Sequence, residues 1–348
     1  MKLDLATTLA LRADASDRSL AWPVESMNAV QAAGGLAWSI PKEWGGMEWS
    51  PVERLAGHEH LASGCLTTAF ILSQREACVR QLLKAPRSLQ ERFLPDLLAG
   101  AYGTVGLSQL TTSRQHLGPS LLATATDRGY QLDGSIPWVT GADQSQVIIV
   151  GATLGDGQQV LVALPPDRAG VTIDAPLSLS SLVGSRTAEV RLNAVEVERE
   201  LVVAGPTEQV MGQVGGGGLE TTNLALGLSV AAIDLLQASA CHRPELVPIV
   251  ETFRGAADSI RQQLHELVMA SEADAVMAVR VAGTKLALKT TQTALLFLKG
   301  AGFVEPHAAQ RLARQALFFL VWSCPRPVAS GVLDDLLSGL SDFRVGRE

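Results

Sequence analysis

The chain has 348 residues, 47% of them apolar and 18% charged. At roughly 100–200 residues per domain, that length predicts two or three domains, and the high apolar and low charged shares exclude disorder as the main state. Lys and Arg number 28 against 35 Asp and Glu, a net charge of −7, and no basic cluster stands out. This argues against nucleic acid or an anionic membrane as partner, and for a small molecule. The four cysteines, Cys65, Cys78, Cys241 and Cys324, form no Cys-x-x-Cys pair. They are expected to be buried hydrophobes of a reducing compartment, with neither a metal site nor a disulfide. Asp4 and Arg12 interrupt the N-terminal apolar stretch, so it lacks the core of a signal peptide. The longest apolar run, Leu224–Ile233, is far below the ~18 residues of a membrane span. A cytoplasmic protein without a membrane span is expected.

From about residue 3 to 100, apolar residues recur three and four apart, with breaks at Pro23, Pro41, Pro51 and Pro86. This predicts several short helices, among them Thr67–Leu83 and Ser88–Leu98, the latter ending at Gly100. Near Tyr102 the texture changes to Val, Ile and Thr runs punctuated by Asp127-Arg-Gly129 and Gly155-Asp-Gly157. These are hairpin signals, and they predict an antiparallel β domain of barrel-like or sandwich type. A doubly wound nucleotide fold is excluded, because it needs helices between successive strands.

After the run Gly215–Gly218, four long helices are expected over Leu219–Ser239, Pro244–Ala270, Glu272–Leu298 and His307–Leu340, forming an up-down bundle. The segments 224–236 and 315–322 are apolar nearly all round, which predicts a place at the bundle centre or in a subunit interface. The fold class is therefore α+β. Its expected parts are a helical domain over 1–101, a β domain over 102–212 and a four-helix bundle over 213–348.

Several strings carry a resemblance. Ile40-Pro-Lys-Glu-Trp-Gly-Gly46 precedes Gly129-Tyr-Gln-Leu-Asp-Gly-Ser-Ile-Pro-Trp-Val-Thr-Gly-Ala142. Next come Val183-Gly-Ser-Arg-Thr-Ala-Glu-Val-Arg-Leu-Asn-Ala-Val-Glu-Val197 and, last, the segment Lys299–Ala316. In that order they resemble the acyl-CoA dehydrogenase superfamily nearly end to end. The resemblance implies an FAD flavoprotein in which the cofactor takes hydride from Cβ of an acyl thioester while a carboxylate removes the α proton.

By that resemblance Trp138 covers one flavin edge, and Val139 and Thr140 lie along its N5/O4 side. Read alone, Trp138 is a strand residue packed in a β core. Leu107, Ser108 and Ser113 stand where the family carries its flavin and pyrophosphate loop, although a plain turn is the alternative. Gly300 and Gly302 match a close backbone approach to the flavin of a neighbouring subunit, with Lys299 and Leu296 replacing a family Gly and Gln. A helix-ending glycine pair is the alternative there. Arg243 is what is left of a further FAD-binding element.

The family's usual glutamate base falls on Ser323, whose hydroxyl cannot act as an α-proton base near neutral pH without an activating partner. A second family position for the base lies near Glu220, which otherwise serves the positive end of its own helix. His58-Glu-His60 has the wrong spacing for two metal ligands on one helix face and is expected on a solvated face. Two functions follow: an FAD oxidoreductase of acyl thioesters such as acyl-CoA with a non-standard base, or a degenerate, non-catalytic partner subunit. Either is expected to be a homo-oligomer or a heteromer with a homologue.

Overall fold

The structure is a computed structural model that describes residues 4–111, 118–212, 218–270 and 272–338. It falls into two compact units, Met1–Gly216 and Gly217–Glu348.

The first unit opens with helices α1 (Leu5–Ala10), α2 (Ala13–Arg18), α3 (Val24–Ala32), α4 (Pro51–Gly64), α5 (Leu66–Leu82) and α6 (Arg87–Ala99). The start of α4 is written in its sequence. Ser50 Oγ accepts from the Glu53 backbone N–H, the Glu53 carboxylate accepts from Ser50 N–H at 2.7 Å, and Pro51 follows as the first helical residue. The two hydrogen bonds from Ser50 hold the Glu53 carboxyl below its ordinary value. Helix α5 is buried along nearly its whole length, and α6 stops at Gly100, where φ is +120°. Both lie within a residue of the expected ranges. In the Ile40–Gly46 turn, a Cβ on Gly46 would come within 1.9 Å of the Ile40 carbonyl oxygen, so glycine alone fits there.

His58 departs from expectation. It is buried with its ring edge-on to Trp38 at 5.8 Å, and Trp38 stacks on Trp49 at 4.5 Å. His60 faces out and meets Asp4 at 2.9 Å. Residues two apart on a helix point to opposite sides, so one histidine of the pair is carried inward.

The helices pack on an eight-stranded sheet of β1 (Tyr102–Gly106), β2 (Leu121–Thr126), β3 (Gly129–Val139), β4 (Ser145–Leu154), β5 (Gln159–Leu164), β6 (Val171–Ile173), β7 (Ala188–Glu198) and β8 (Val202–Thr207). Helix α7 (Ser108–Thr111) follows β1. The order is β6-β7-β3-β2-β4-β5-β8, with β1 also on β4. The sheet is mixed and not wholly antiparallel, because β1 and β2 share one edge of β4 and both run parallel to it. Both predicted turns close hairpins: Thr126 pairs with Gly129 across Asp127-Arg128, and β4 returns as β5 through Gly157 at φ +87°. Strand β4 is buried on both faces over Val147–Ala152, whereas β7 alternates. Ile40, Val79, Leu82, Leu94 and Leu97 share one core with Ile148, Val150, Leu161 and Val190.

The second unit comprises α8 (Leu219–Ala240), α9 (Val247–Ala270), α10 (Ala273–Phe303), α11 (Ala308–Ala316) and α12 (Arg326–Leu337). The fourth expected helix, His307–Leu340, is broken. A 3-10 turn covers Leu317–Leu320, Ser323 adopts φ +50°, and Pro325 and Pro327 deny the chain two backbone donors. Among the described residues α8 alone has the length and apolarity to cross a bilayer, and 61% of its apolar window is buried inside the structure. Cys65 and Cys78 are buried, and burial pushes the Cys78 thiol up to about 12. Cys241 is exposed and Cys324 half-buried, against expectation, because both lie in the chain breaks that follow α8 and the 3-10 turn.

Near its end α10 kinks at Lys299, where φ is +51° and ψ −142°. A side chain in such a conformation costs about 1–3 kcal/mol. Lys299→Gly should therefore raise the unfolding free energy by an amount in that range, measured by urea titration, and Lys299→Ala should not. A destabilised glycine variant would contradict the strain.

Candidate functional site

The sequence motifs 129–142 and 183–197 meet in the sheet, where β3 and β7 pair antiparallel from Gly129↔Glu198 to Val139↔Ala188. At the end of β3 the strand alternation turns Val139 fully inward and leaves Trp138 47% exposed. Trp138 therefore does not pack in the core, as a plain strand residue would.

Thr140 is buried, with its Oγ1 3.2 Å from Thr187 Oγ1, which lies 2.9 Å from Ser185 Oγ. The backbone is braced at the same place. Gly141 N–H donates to the Ser185 carbonyl at 2.9 Å, and the Tyr102 hydroxyl donates to the carbonyls of Ile71 at 3.3 Å and Thr140 at 3.4 Å. Burial raises the Tyr102 phenol above its ordinary value, so it stays a donor. Arg186, at φ +48°, pairs with Asp143, and those hydrogen bonds hold its guanidinium above the ordinary value.

Leu107 is buried and Ser108 half-buried at the start of α7. Gln109 fixes this turn by donating to the Gly106 and Gly151 carbonyls at 2.8 and 2.7 Å. Ser113 lies outside the described residues.

In the second unit one buried side chain links the two alternative base positions. Arg280, 2% exposed on α10, donates from Nη2 to the Ser323 carbonyl. Burial pulls its guanidinium below the ordinary value, and the electrostatic pull of Cys324 and Glu220 raises it back. Burial raises the Cys324 thiol. Glu220 is half-buried in the first turn of α8, and that turn packs closely on α10. A Cβ on Gly283, three residues beyond Arg280, would meet Thr222 Cγ2 at 2.6 Å. Arg280 was missed in the sequence. Its only signal there is a lone cation inside the apolar run Val276–Val281.

Arg243 reaches the stretch of α10 that precedes the glycine pair. Arg243, half-buried, donates to the Phe297 carbonyl just before the Lys299 kink. Gly300 is exposed with open space around it, whereas Gly302 is buried, and a Cβ there would lie 2.7 Å from that of Leu298. Packing within the bundle thus accounts for Gly302, and Gly300 is the position left open to a neighbour.

Comparison with known proteins agrees with this architecture. Residues 5–101 match the family described as acyl-CoA dehydrogenase, N-terminal domain. A probable acyl-CoA dehydrogenase of Bacillus subtilis, YngJ, is 23% identical over 338 residues, which cover 88% of each chain. The glutaryl-coenzyme A dehydrogenase–glutaryl-CoA complex superposes with a TM-score of 0.83 at 18% identity, over 97% of each chain. A Mycobacterium smegmatis glutaryl-CoA dehydrogenase in complex with FADH2 gives 0.81 at 17% identity, over 96% of this chain and 93% of that one. With helices, mixed sheet and C-terminal helices in this order, the chain has the fold of the acyl-CoA dehydrogenases, and residues 5–101 match that family's N-terminal domain.

Proposed function

We propose that this protein is an FAD-dependent oxidoreductase that dehydrogenates an acyl thioester of the acyl-CoA kind, with Glu220 in place of the family's usual base. The observation that carries the reading is Arg280, whose guanidinium holds the Ser323 backbone and lies in electrostatic reach of Glu220. A carboxylate is thus in electrostatic range of the arginine that holds the Ser323 backbone.

The residues of the first unit suit a flavin. Trp138 leaves nearly half its surface uncovered at a strand end flanked by buried Val139 and Thr140, and a flat aromatic ring would cover it. In the second unit the half-buried Arg243 and the open Gly300 backbone suit a diphosphate. When bound, FAD supplies the hydride acceptor. Glu220 accepts the α proton on a carboxylate oxygen and holds it as a carboxylic acid. Arg280 keeps the 323–325 turn in place against α10.

One observation favours a second reading, that of a non-catalytic partner subunit: residue 323 presents a hydroxyl, with its carbonyl tied to Arg280. For either reading we assign the exposed Leu296, Phe303, Val304 and Val321 to a contact with a second copy or a homologous partner. The expected apolar helix over 316–322 is not continuous, since Leu317–Leu320 form a 3-10 turn, and Val321 is its contribution to this assignment.

Three measurements test these assignments. The protein purified with excess FAD should be yellow, and acyl-CoA should bleach it in stopped flow. Glu220→Gln should keep the colour and lose about 10²–10⁴-fold in bleaching rate. Bleaching that survives in that variant excludes Glu220, and a yellow wild type that never bleaches favours the partner subunit. Arg280→Met removes a charge-assisted bond and should lower the unfolding free energy by roughly 1.5–3 kcal/mol, with unchanged stability counting against the clamp. Light scattering should return a multiple of the chain mass, and a monomer at all concentrations rules out self-association.

A further inference from the structure

Thr140 is the first member of a buried hydroxyl chain, Thr140–Thr187–Ser185. We propose that Thr187 and Ser185 are positioning residues that point the Thr140 hydroxyl proton outward, as a donor held ready for an acceptor atom on the ring edge of FAD. The proposal rests on the FAD reading and goes beyond it in assigning these two residues.

A proton count supports it. Three hydroxyls carry three protons, and each oxygen can donate once and also accept. Two contacts, 3.2 Å and 2.9 Å, join the three oxygens, and none of them has another hydrogen-bond partner among the described residues. Two protons are therefore placed between the oxygens and the third is left over, at one end or on Thr187 if it accepts from both neighbours, where it would be buried without an acceptor. If the chain ran inward, that proton would sit on Ser185, which is 0% exposed, and a buried O–H without an acceptor is costly. If it runs outward, the third proton sits on Thr140, next in sequence to Val139 and two residues from the uncovered indole of Trp138. An acceptor arriving there satisfies the whole chain at once. Thr140 and Thr187 would then each donate and accept, with Ser185 as the terminal donor.

The backbone braces the residues of this hydroxyl chain. The pairing Val139↔Ala188 and the bond from Gly141 N–H to the Ser185 carbonyl hold the two ends of the chain together. The Tyr102 hydroxyl also donates to the Thr140 carbonyl. A chain of hydroxyls held in one direction strengthens the bond at its open end, because each donor polarises the next. A purely structural threonine at 187 would need no such surplus proton.

The test uses the full chain loaded with FAD, and reads the FAD Kd by fluorescence, the flavin absorption spectrum and the midpoint potential. Thr187→Val is expected to weaken FAD by roughly 2–10-fold and to shift both spectrum and potential, while Thr187→Ser restores wild-type values. Ser185→Ala should shift the spectrum in the same direction by less, and it keeps the test available if the valine variant fails to fold. A wild type that takes up FAD, with Thr187→Val and Ser185→Ala matching it in Kd, spectrum and potential, overturns the assignment alone. A wild type that takes up no FAD overturns the cofactor reading and this inference with it.

Discussion

The first unit depends on the antiparallel pairing of β3 with β7. The two strands are separated by some fifty residues of chain that carry β4, β5 and β6, and their register runs from Gly129↔Glu198 to Val139↔Ala188. A slip of one residue would turn Val139 out and Trp138 in, since side chains alternate with a period of two. The same slip would part Thr140 from Thr187. Inward-facing Leu132, Ile136, Val190, Val195 and Val197, all essentially without exposure, hold that register through burial.

Two buried arginines show how one residue type can serve the fold or the site. Arg75, fully buried on α5, donates to the carbonyls of Leu36 at 3.0 Å and Leu97 at 2.6 Å and meets Glu76 at 3.4 Å. It ties the 36 turn and the end of α6 to the central helix, so its partners are structural. Arg280 has a different set of neighbours, a turn carbonyl from Ser323 and the groups of Cys324 and Glu220. Desolvating a guanidinium is expensive in both places. At Arg75 the return is fold integrity, whereas at Arg280 it falls on residues that matter to the proposed chemistry.

Two residues that the sequence resemblance singles out, Lys299 and Ser323, both take positive φ, +51° and +50°. The backbone path is set by packing of whole elements, whereas a single side chain sets chemistry.

Much was legible in the amino-acid sequence alone. Periodicity located α5 and α6 to within a residue, Gly and Asp punctuation located both hairpins, and the ordered motifs pointed to the superfamily. These are local properties: a helix face, a positive-φ turn and a capping pair need only neighbours in the chain. Tertiary structure decided what depends on distant partners. It ran β1 and β2 parallel to β4, split the last helix at Ser323, buried His58 against Trp38 and uncovered Trp138. It also placed Arg280 against Ser323, and joined Thr140 to Thr187 and Ser185. The local pattern around Arg280 or Thr187 looks like ordinary helix and strand, because hydrogen bonds across some forty residues of chain leave no periodicity to read.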